Sequence, residues 1–343
     1  MGAGALGDVG AIARETAPAH RYAIISDDTV APLYAARVAA SLGGERVELF
    51  TIPPGEEHKT RASWARLTDA MLAAGLGRDS AVIALGGGVV GDVAGFVAAT
   101  YMRGIPVVQL PTTLLAMIDA SIGGKTGVDT PAGKNLVGAF HQPAAVIADP
   151  ETLRTLPAPL LRAGLAEAIK HGVIADAGYF DEIGAVLHSI PRDAGALERL
   201  IARSVAIKAD VVRRDEREGG VRKILNFGHT IGHAVESESG YRLLHGEAVA
   251  IGMVLEARLA ERAGIAAAGT SERIEALAAS AGLPTERPAE LSAARLIAAM
   301  RTDKKARGGE VELALPSRVG AMAGAASGWG IRVAEPLLRE VLG

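Results

Sequence analysis

Three histidines within 17 residues are the strongest chemical signal in this sequence. His229, His233 and His245 lie in the segment LNFGHTIGHAVESESGYRLLHGE, and the whole chain has only eight histidines. His229 and His233 are four residues apart, so on a helix they share one face. Imidazoles on two neighbouring helix ends suit a first-row divalent metal, above all zinc. Spacing alone nominates His229 and His233 as ligands, with a carboxylate completing an open catalytic site; the alternative is a pair of ordinary helix-facing histidines.

Other segments carry groups suited to nucleotides and anions. LGGGVVGDVAGF lies where a strand leads into a helix, the setting in which backbone N–H groups bind pyrophosphate, although it is not GxGxxG. The alternative is that its glycines only form a tight turn. The loop PPGEEHKT offers a carboxylate and a lysine for ribose and phosphate, or is a plain solvated loop. In the segment 112–142, lysines stand among glycines and apolar residues, which favours an anion site.

Composition limits the classes of protein that the chain can belong to. It has 343 residues, 49% of them hydrophobic, and a formal net charge of −3, so no basic surface points to nucleic acid or membrane. The sequence has no cysteine, so any metal must use His and carboxylate ligands. The N-terminus does not read as a signal peptide, and no apolar run is long enough to span a membrane. We therefore expect a cytoplasmic protein.

Hydrophobic patterning predicts an α/β N-terminal domain with a parallel, Rossmann-like sheet, followed by an all-α C-terminal domain. The boundary is expected near residue 150, giving domains 1–150 and 151–343, with no strands after about residue 153. Predicted strands are 22–26, 47–52, 80–85 and 107–110, and the helices between them include 33–42 and 61–74. Predicted C-terminal helices are 160–173, 194–213, 226–238, 245–263, 271–281 and 291–300.

Five motifs together resemble the 3-dehydroquinate synthase family. They are LGGGVVGDVAGF, the run LPTTLLAMIDASIGGKTGVD with GKNLVGAFHQP, GLAEAIKHG, DEREGGVRKILNFGHTIGHAVE and LLHGEAVAIGM. The resemblance covers roughly residues 20 to 320, with the motifs in the family's order. It implies a fold shared with glycerol dehydrogenase, iron-dependent alcohol dehydrogenases and other sugar-phosphate cyclases.

The resemblance also implies a set of site residues. The metal, Zn²⁺ or Co²⁺, would be held by Glu167, His229 and His245, which leaves His233 beside the substrate's phosphate and replaces the ligand pair that spacing suggested. NAD would contact Glu56, Lys59, Gly88, Val89, Val90, Gly91, Asp92, Thr112, Thr113, Lys125, Lys134, Thr152, Leu153, Arg154 and Thr155. The substrate would meet Asp119, Lys125, Asn135, Lys170, Lys208, Arg222, Asn226, His233 and either Lys304 or Lys305. Arg103 would reach the neighbouring subunit's site in a homodimer. Pro54 departs from the polar residue usual in the nucleotide loop.

The implied reaction converts 3-deoxy-D-arabino-heptulosonate 7-phosphate to 3-dehydroquinate and phosphate. It proceeds by transient oxidation with NAD, phosphate elimination, reduction, ring opening and aldol closure, as a step of the shikimate pathway. Two alternatives on the same fold are an NAD-dependent polyol or glycerol-phosphate dehydrogenase, which would release NADH, and a cyclase acting on carboxylate-free heptulose 7-phosphate. The latter would leave Lys208 and Arg222 idle. A non-catalytic nucleotide-binding protein is the remaining possibility.

Overall fold

A computed structural model describes residues 1–43, 46–190, 193–302 and 311–343. The chain divides into two compact units, Met1–Leu156 (unit 1) and Pro157–Gly343 (unit 2). The division lies a few residues beyond the position near 150 that the sequence suggested, because the short 3₁₀ helix Pro150–Thr155 belongs to unit 1.

Unit 1 is built around a parallel sheet. Its strands are β1 (Arg21–Asp27), β2 (Val47–Ile52), β3 (Ser80–Gly86), β4 (Val107–Pro111), β5 (Lys125–Thr130), β6 (Gly133–Phe140) and β7 (Ala145–Val146). Within the described residues the sheet has five strands in the order β2-β1-β3-β4-β7. The four strands that the sequence predicted are thus confirmed as β1 to β4. The antiparallel hairpin β5–β6 was not predicted.

Helices cover both faces of this sheet. They are α1 (Val9–Thr16), α2 (Ala31–Ser41), α3 (Arg61–Ala73) and α4 (Gly88–Thr100). Every residue of β3 is buried, as expected for a parallel strand between two helical layers. One apolar cluster joins the sheet to α3 and α4, and a second joins it to α1 and α2. Since β1 has β2 on one side and β3 on the other, the strand order reverses beside β1, where sheets of this kind bind ligands.

Unit 2 is mainly helical. Its helices are α5 (Ala158–Ala175), α6 (Ala177–Val186), α7 (Ala194–Arg214), α8 (His229–Glu238), α9 (His245–Arg262), α10 (Thr270–Ser280), α11 (Ala293–Thr302) and α12 (Glu335–Leu342). The helical C-terminal class is confirmed. None of the described helices combines the length and apolar character that a membrane crossing needs.

The expectation that strands stop after residue 153 was wrong. Unit 2 also contains β8 (Val311–Leu313), β9 (Pro316–Arg318), β10 (Ala321–Met322) and β11 (Ile331–Val333). In the described residues they form two antiparallel pairs, β8 with β11 and β9 with β10. Strands of two or three residues carry too little alternation to be read from sequence, and their pairing is a tertiary contact.

The helix predicted from Asn226 begins three residues later. A 3₁₀ helix covers Val221–Asn226, and Gly228 then adopts a left-handed conformation, φ 78°, which is suited to glycine. These two features delay the start of α8 to His229. Gly252 of α9 faces this turn, and a Cβ on Gly252 would lie 2.0 Å from the carbonyl oxygen of Gly228, so the two backbones approach closely because neither residue has a side chain.

Candidate metal centre and nucleotide site

Three ligand atoms converge in unit 2. Glu167 lies in the buried centre of α5, while His229 and His245 are the first residues of α8 and α9. Their ligand atoms all lie within 4.8 Å of one another. The Oε1 atom of Glu167 is 3.4 Å from Nε2 of His229 and 3.6 Å from Nε2 of His245. Within the described residues, this buried oxygen makes no hydrogen bond of good geometry.

These separations fit a tetrahedral metal. Ligand atoms about 2.0–2.1 Å from a zinc ion stand roughly 3.3 Å apart, close to the two measured distances. The outer nitrogens are also held: Nδ1 of His229 is 3.0 Å from the carbonyl oxygen of Phe227, and Nδ1 of His245 is 3.4 Å from Oε2 of Glu236. Partners of this kind fix the ring so that Nε2 faces a metal. The residues present therefore fit a divalent cation.

Burial and neighbouring charges shift the pKa values of Glu167, His229 and His245 in different directions. Burial by itself would raise the pKa of Glu167, but the ammonium of Lys170 and the two histidines lower that pKa well below its usual range. Burial and the charge of Lys170 lower the pKa of His229 to about 4, so its imidazole is neutral at pH 7. Burial also disfavours charge on His245, but Glu167 and Glu236 raise the pKa of His245 to about 10. A cation bound there must displace that proton.

A second group of possible ligands shares one histidine with the first. His233, Glu236 and His245 also place one ligand atom each within 4.8 Å of one another. The ring of His233 meets that of His229 edge to face, with centroids 5.4 Å apart. Of the two histidines that spacing paired, His229 lies in the group with the buried Glu167 and His233 in the group with Glu236.

The predicted substrate residues of unit 2 are largely buried cations. Lys170 forms an ion pair with Glu167, one turn earlier in α5. Lys208 of α7 and Arg222 of the 3₁₀ helix are both buried, and the backbone N–H of Arg222 donates to Asp215 at 3.0 Å. The side-chain amide of Asn226 donates to Oε1 of Glu218 at 2.6 Å. Buried cations of this kind are suited to holding an anionic ligand.

In unit 1 the glycine-rich segment forms the turn from β3 into α4. Gly87 is the N-cap and Gly88 the first residue of α4, and no side chain caps this helix end among the described residues. A Cβ on Gly87 would lie 3.1 Å from the methyl carbon of Thr113, so a larger residue here would require Thr113 to shift. The neighbouring Thr112 is buried, and its hydroxyl has no hydrogen-bond partner in the part of the chain that is described. A helix N-terminus beside a spare hydroxyl fits a pyrophosphate.

The predicted nucleotide residues beyond this turn form a network around Lys59. Its ammonium is 2.6 Å from Oδ2 of Asp92 and donates to Oδ1 of Asn135 at 2.6 Å. Glu56 lies 3.9 Å from Lys59 and 3.3 Å from Lys134. Burial would lower the pKa of Lys59, but Asp92 and Glu56 raise that pKa. The structure thus brings four predicted NAD residues together, with Asn135, expected at the substrate, in contact with them.

The other predicted residues are more scattered. Thr152 to Thr155 lie on the 3₁₀ helix capped by Asp149, and Tyr34 is 2.7 Å from the hydroxyl of Thr155. Asp119 lies in a short π-helix, and Lys125 is exposed at the start of β5. Arg103 has φ 68° and is exposed. Val89, Val90 and Gly91 follow in the first turn of α4. Lys304 and Lys305 lie outside the described residues.

Sequence reasoning missed several carboxylates that contact site residues or the backbone beside them. Glu218 accepts from Asn226, Glu236 contacts His245, and Glu256 accepts two backbone N–H groups at the start of α8. Glu236 follows His233 by three residues, about one helical turn, so its position near the histidines could have been predicted from this spacing. Glu256 gives no such signal, because its partners lie in a different helix.

The fold resembles solved structures of a dehydrogenase and of two cyclic-sugar synthases. A probable glycerol dehydrogenase from Sinorhizobium meliloti covers 99% of the chain with a TM-score of 0.66 at 16% identity, which indicates the fold alone. A 2-deoxy-scyllo-inosose synthase solved with carbaglucose-6-phosphate, NAD⁺ and Co²⁺ aligns with a TM-score of 0.90 at 30% identity, covering 99% of this chain and 94% of that one. A 2-epi-5-epi-valiolone synthase from Streptomyces hygroscopicus with NAD⁺ and Zn²⁺ aligns at 0.85 and 33%, covering 94% and 89%.

Sequence comparison narrows the class further. Residues 49–163 match the 3-dehydroquinate synthase N-terminal family model, and residues 164–306 match the C-terminal one. The 3-dehydroquinate synthase of Symbiobacterium thermophilum is 50% identical over 93% of this chain and 91% of its own length. That of Citrifermentans bemidjiense is 53% identical over 84% and 81%. The chain belongs to the 3-dehydroquinate synthase family.

Proposed function

We propose that this chain is an enzyme that converts 3-deoxy-D-arabino-heptulosonate 7-phosphate to 3-dehydroquinate and phosphate, a carbon–oxygen lyase reaction of the shikimate pathway. The observation that carries the proposal is the buried Glu167 with the two imidazole nitrogens 3.4 and 3.6 Å from its Oε1, in a chain about half identical to enzymes of this name. We place its action in the cytoplasm, where NAD and sugar phosphates are found.

We assign each cofactor to the unit whose residues are suited to bind it. The turn at Gly87 and the network around Lys59 would hold NAD, and Glu167, His229 and His245 would hold Zn²⁺ or Co²⁺. When bound, NAD accepts and returns a hydride, and the metal lowers the pKa of a substrate hydroxyl. The proposal is supported by the two solved cyclases, which contain NAD⁺ together with Co²⁺ or Zn²⁺.

The cations of unit 2 would bind and orient the two ends of the substrate. Arg222 is buried and presents a planar guanidinium, the group that matches a carboxylate with two parallel hydrogen bonds. Lys208 is buried as well and would share that carboxylate. His233 and Asn226 of the same unit would meet the phosphate. Fixing both anionic ends holds the reacting carbons in place, which lowers the entropic part of the barrier.

Sequence identity argues against the two alternative functions, the dehydrogenase and the cyclase that acts on a carboxylate-free substrate. The relatives named 3-dehydroquinate synthase are 50–53% identical, whereas the solved cyclases with other names are 30–33% identical and the dehydrogenase-like structure 16%. A carboxylate-free substrate would also lack the group that a planar guanidinium such as that of Arg222 matches best. We therefore favour the carboxylated heptulosonate.

The purified protein should be incubated with the heptulosonate phosphate, a divalent metal and NAD far below the substrate concentration. Phosphate release and NADH absorbance are followed together. The proposal expects many phosphates per NAD and no lasting NADH. Conversion of the supplied NAD to NADH, with turnover stopping once the NAD is used up, would support the dehydrogenase instead. Faster turnover of heptulose 7-phosphate would support the other cyclase.

We also propose a homodimer in which Arg103 acts in the partner's site. Leu136, Val137 and Phe140 are exposed apolar residues on β6, a strand at the edge of its hairpin in the described part of unit 1. Exposed apolar surface of this kind is typical of interfaces. Arg103 has a left-handed backbone, which is unusual outside glycine and often marks function.

Subunit mixing tests this dimer. Arg103→Ala and His245→Ala should each be nearly inactive alone. When they are unfolded and refolded together, half of the dimers are mixed and each mixed dimer has one intact site, so about a quarter of wild-type activity should return. No recovery in refolded mixtures that contain dimers would show that Arg103 acts within its own subunit.

A further inference from the structure

A carboxylate outside the proposed ligand set holds the start of the helix that carries His229. Glu256 lies in α9 and is fully buried. Its Oε2 accepts the backbone N–H of Gly228 at 2.6 Å, and its Oε1 accepts that of Ile231 at 3.0 Å. His229 is the first residue of α8 and lies between these two donors in the chain. Both oxygens of one carboxylate therefore bracket His229.

The helix needs such a partner from elsewhere. The first N–H groups of a helix have no acceptor within it, and its N-terminus carries a partial positive charge. The N-cap of α8 is Gly228, which has no side chain to accept them. A buried carboxylate in turn needs hydrogen bonds to offset its desolvation. Glu256 and the N-terminus of α8 meet both requirements.

The packing of α8 against α9 makes this contact specific. A Cβ on Gly252, one turn before Glu256, would lie 2.0 Å from the carbonyl oxygen of Gly228 and 2.7 Å from the nitrogen of Gly232. The two helix backbones are thus in direct contact at the start of α8. Glu256 joins that start to α9, the helix whose first residue is His245.

We propose that Glu256 is a positioning residue for the metal centre, which fixes the backbone of His229 relative to α9 and thereby sets the spacing of the two histidine ligands. The inference rests on the proposed assignment of Glu167, His229 and His245 as metal ligands. Residues that orient ligands without touching the metal typically contribute 10–100-fold to metal affinity.

The same helix supplies a matched control. Glu261 of α9 accepts the backbone N–H and the hydroxyl of Ser271, both at 2.8 Å, near the start of α10. It too is a carboxylate of α9 that holds the first turn of another helix. Since α10 carries none of the proposed ligands, Glu261→Gln should lower stability without changing the metal centre.

The experiment measures metal affinity without substrate or NAD. Full-length wild type, Glu256→Gln and Glu261→Gln are titrated with Co²⁺ and with Zn²⁺ in competition with a chelator, and the visible d–d spectrum of the Co²⁺ forms is recorded. A glutamine offers one acceptor and places an N–H₂ group against the second N–H. Glu256→Gln should bind metal about 10–100-fold more weakly, with an altered Co²⁺ spectrum. Glu261→Gln should retain the wild-type values.

The outcomes separate the two claims. Wild-type affinity and spectrum in Glu256→Gln would overturn the positioning role while leaving the proposed function standing. Equal loss in both variants would also overturn it, since the effect would then be general destabilisation. A wild type that binds no metal would overturn the proposed function and this inference with it. If Glu256→Gln is insoluble, Glu256→Asp, which keeps the charge but shortens the side chain, should show the same direction of loss, and unchanged affinity in it would contradict the role.

Discussion

Glu167 is expected to serve two purposes that mutation can separate. Its carboxylate is paired with Lys170, and both side chains are almost completely buried, at 0% and 2% exposure. It also faces His229 and His245 as a proposed metal ligand. Glu167→Gln keeps the size of the side chain and removes its charge. We expect loss of both metal binding and stability.

The magnitude follows from the buried pair. Removing one partner of a buried ion pair typically costs about 3–5 kcal/mol, because the other charge stays in a medium that solvates it poorly. Replacing both partners with uncharged side chains is often close to neutral. Glu167→Gln should therefore lower the free energy of unfolding by about 3–5 kcal/mol, and adding Lys170→Met should restore most of that loss.

Urea unfolding of metal-free protein measures this stability without a contribution from bound metal. Zinc stoichiometry is then determined on the folded proteins. The double variant should be nearly as stable as wild type and still bind no metal. A single variant as stable as wild type would refute the ion-pair argument, and a double variant with full zinc stoichiometry would refute the role of Glu167 as a ligand.

Three further changes have distinct expected results. Gly252→Ala adds a Cβ 2.0 Å from a backbone oxygen and should lower the stability measured in urea, by about 1–3 kcal/mol or more, whereas Gly219→Ala, with open space around it, should be nearly neutral. Burial would raise the pKa of Asp176, but the backbone N–H of Tyr179 and the side chain of Arg203 lower that pKa. The charged carboxylate therefore stabilises the fold above pH 3.8, and this stabilisation is lost as the pH falls further. Asp176→Asn should make the stability measured in unfolding curves depend less on pH in this acidic range. Arg222→Ala should lower kcat/KM for the heptulosonate phosphate, by about 2–5 kcal/mol in transition-state binding, and leave NAD affinity unchanged in a binding titration.

The sheet of unit 1 could be predicted because its signals are local. The stretch at β3 is a short apolar run ending in glycines, which predicts a buried strand and a turn. The hairpin β5–β6 gave no such signal. Its strands hold Gly127 and Gly138, which lie so close that a Cβ on either would clash with the other strand, and glycines weaken any alternating pattern.

The candidate metal centre, like the hairpin, could not be predicted from local sequence signals alone. Spacing along one helix suggested His229 with His233, since it reads only near neighbours. Glu167 comes from α5, 62 residues before His229, and only the fold, or resemblance to a family, brings the two together. Glu256 could not be predicted at all, because its hydrogen bonds run to the backbone of another helix and leave no pattern in side-chain types.

The position of the bound metal tests the central claim most directly. Crystals grown with Zn²⁺ and measured at the zinc absorption edge give an anomalous difference map that locates the ion. We predict one peak about 2.0–2.2 Å from Oε1 of Glu167 and from Nε2 of both His229 and His245. A peak held by a different set of residues, for example His233, Glu236 and His245, whose ligand atoms also lie within 4.8 Å of one another, would contradict this account.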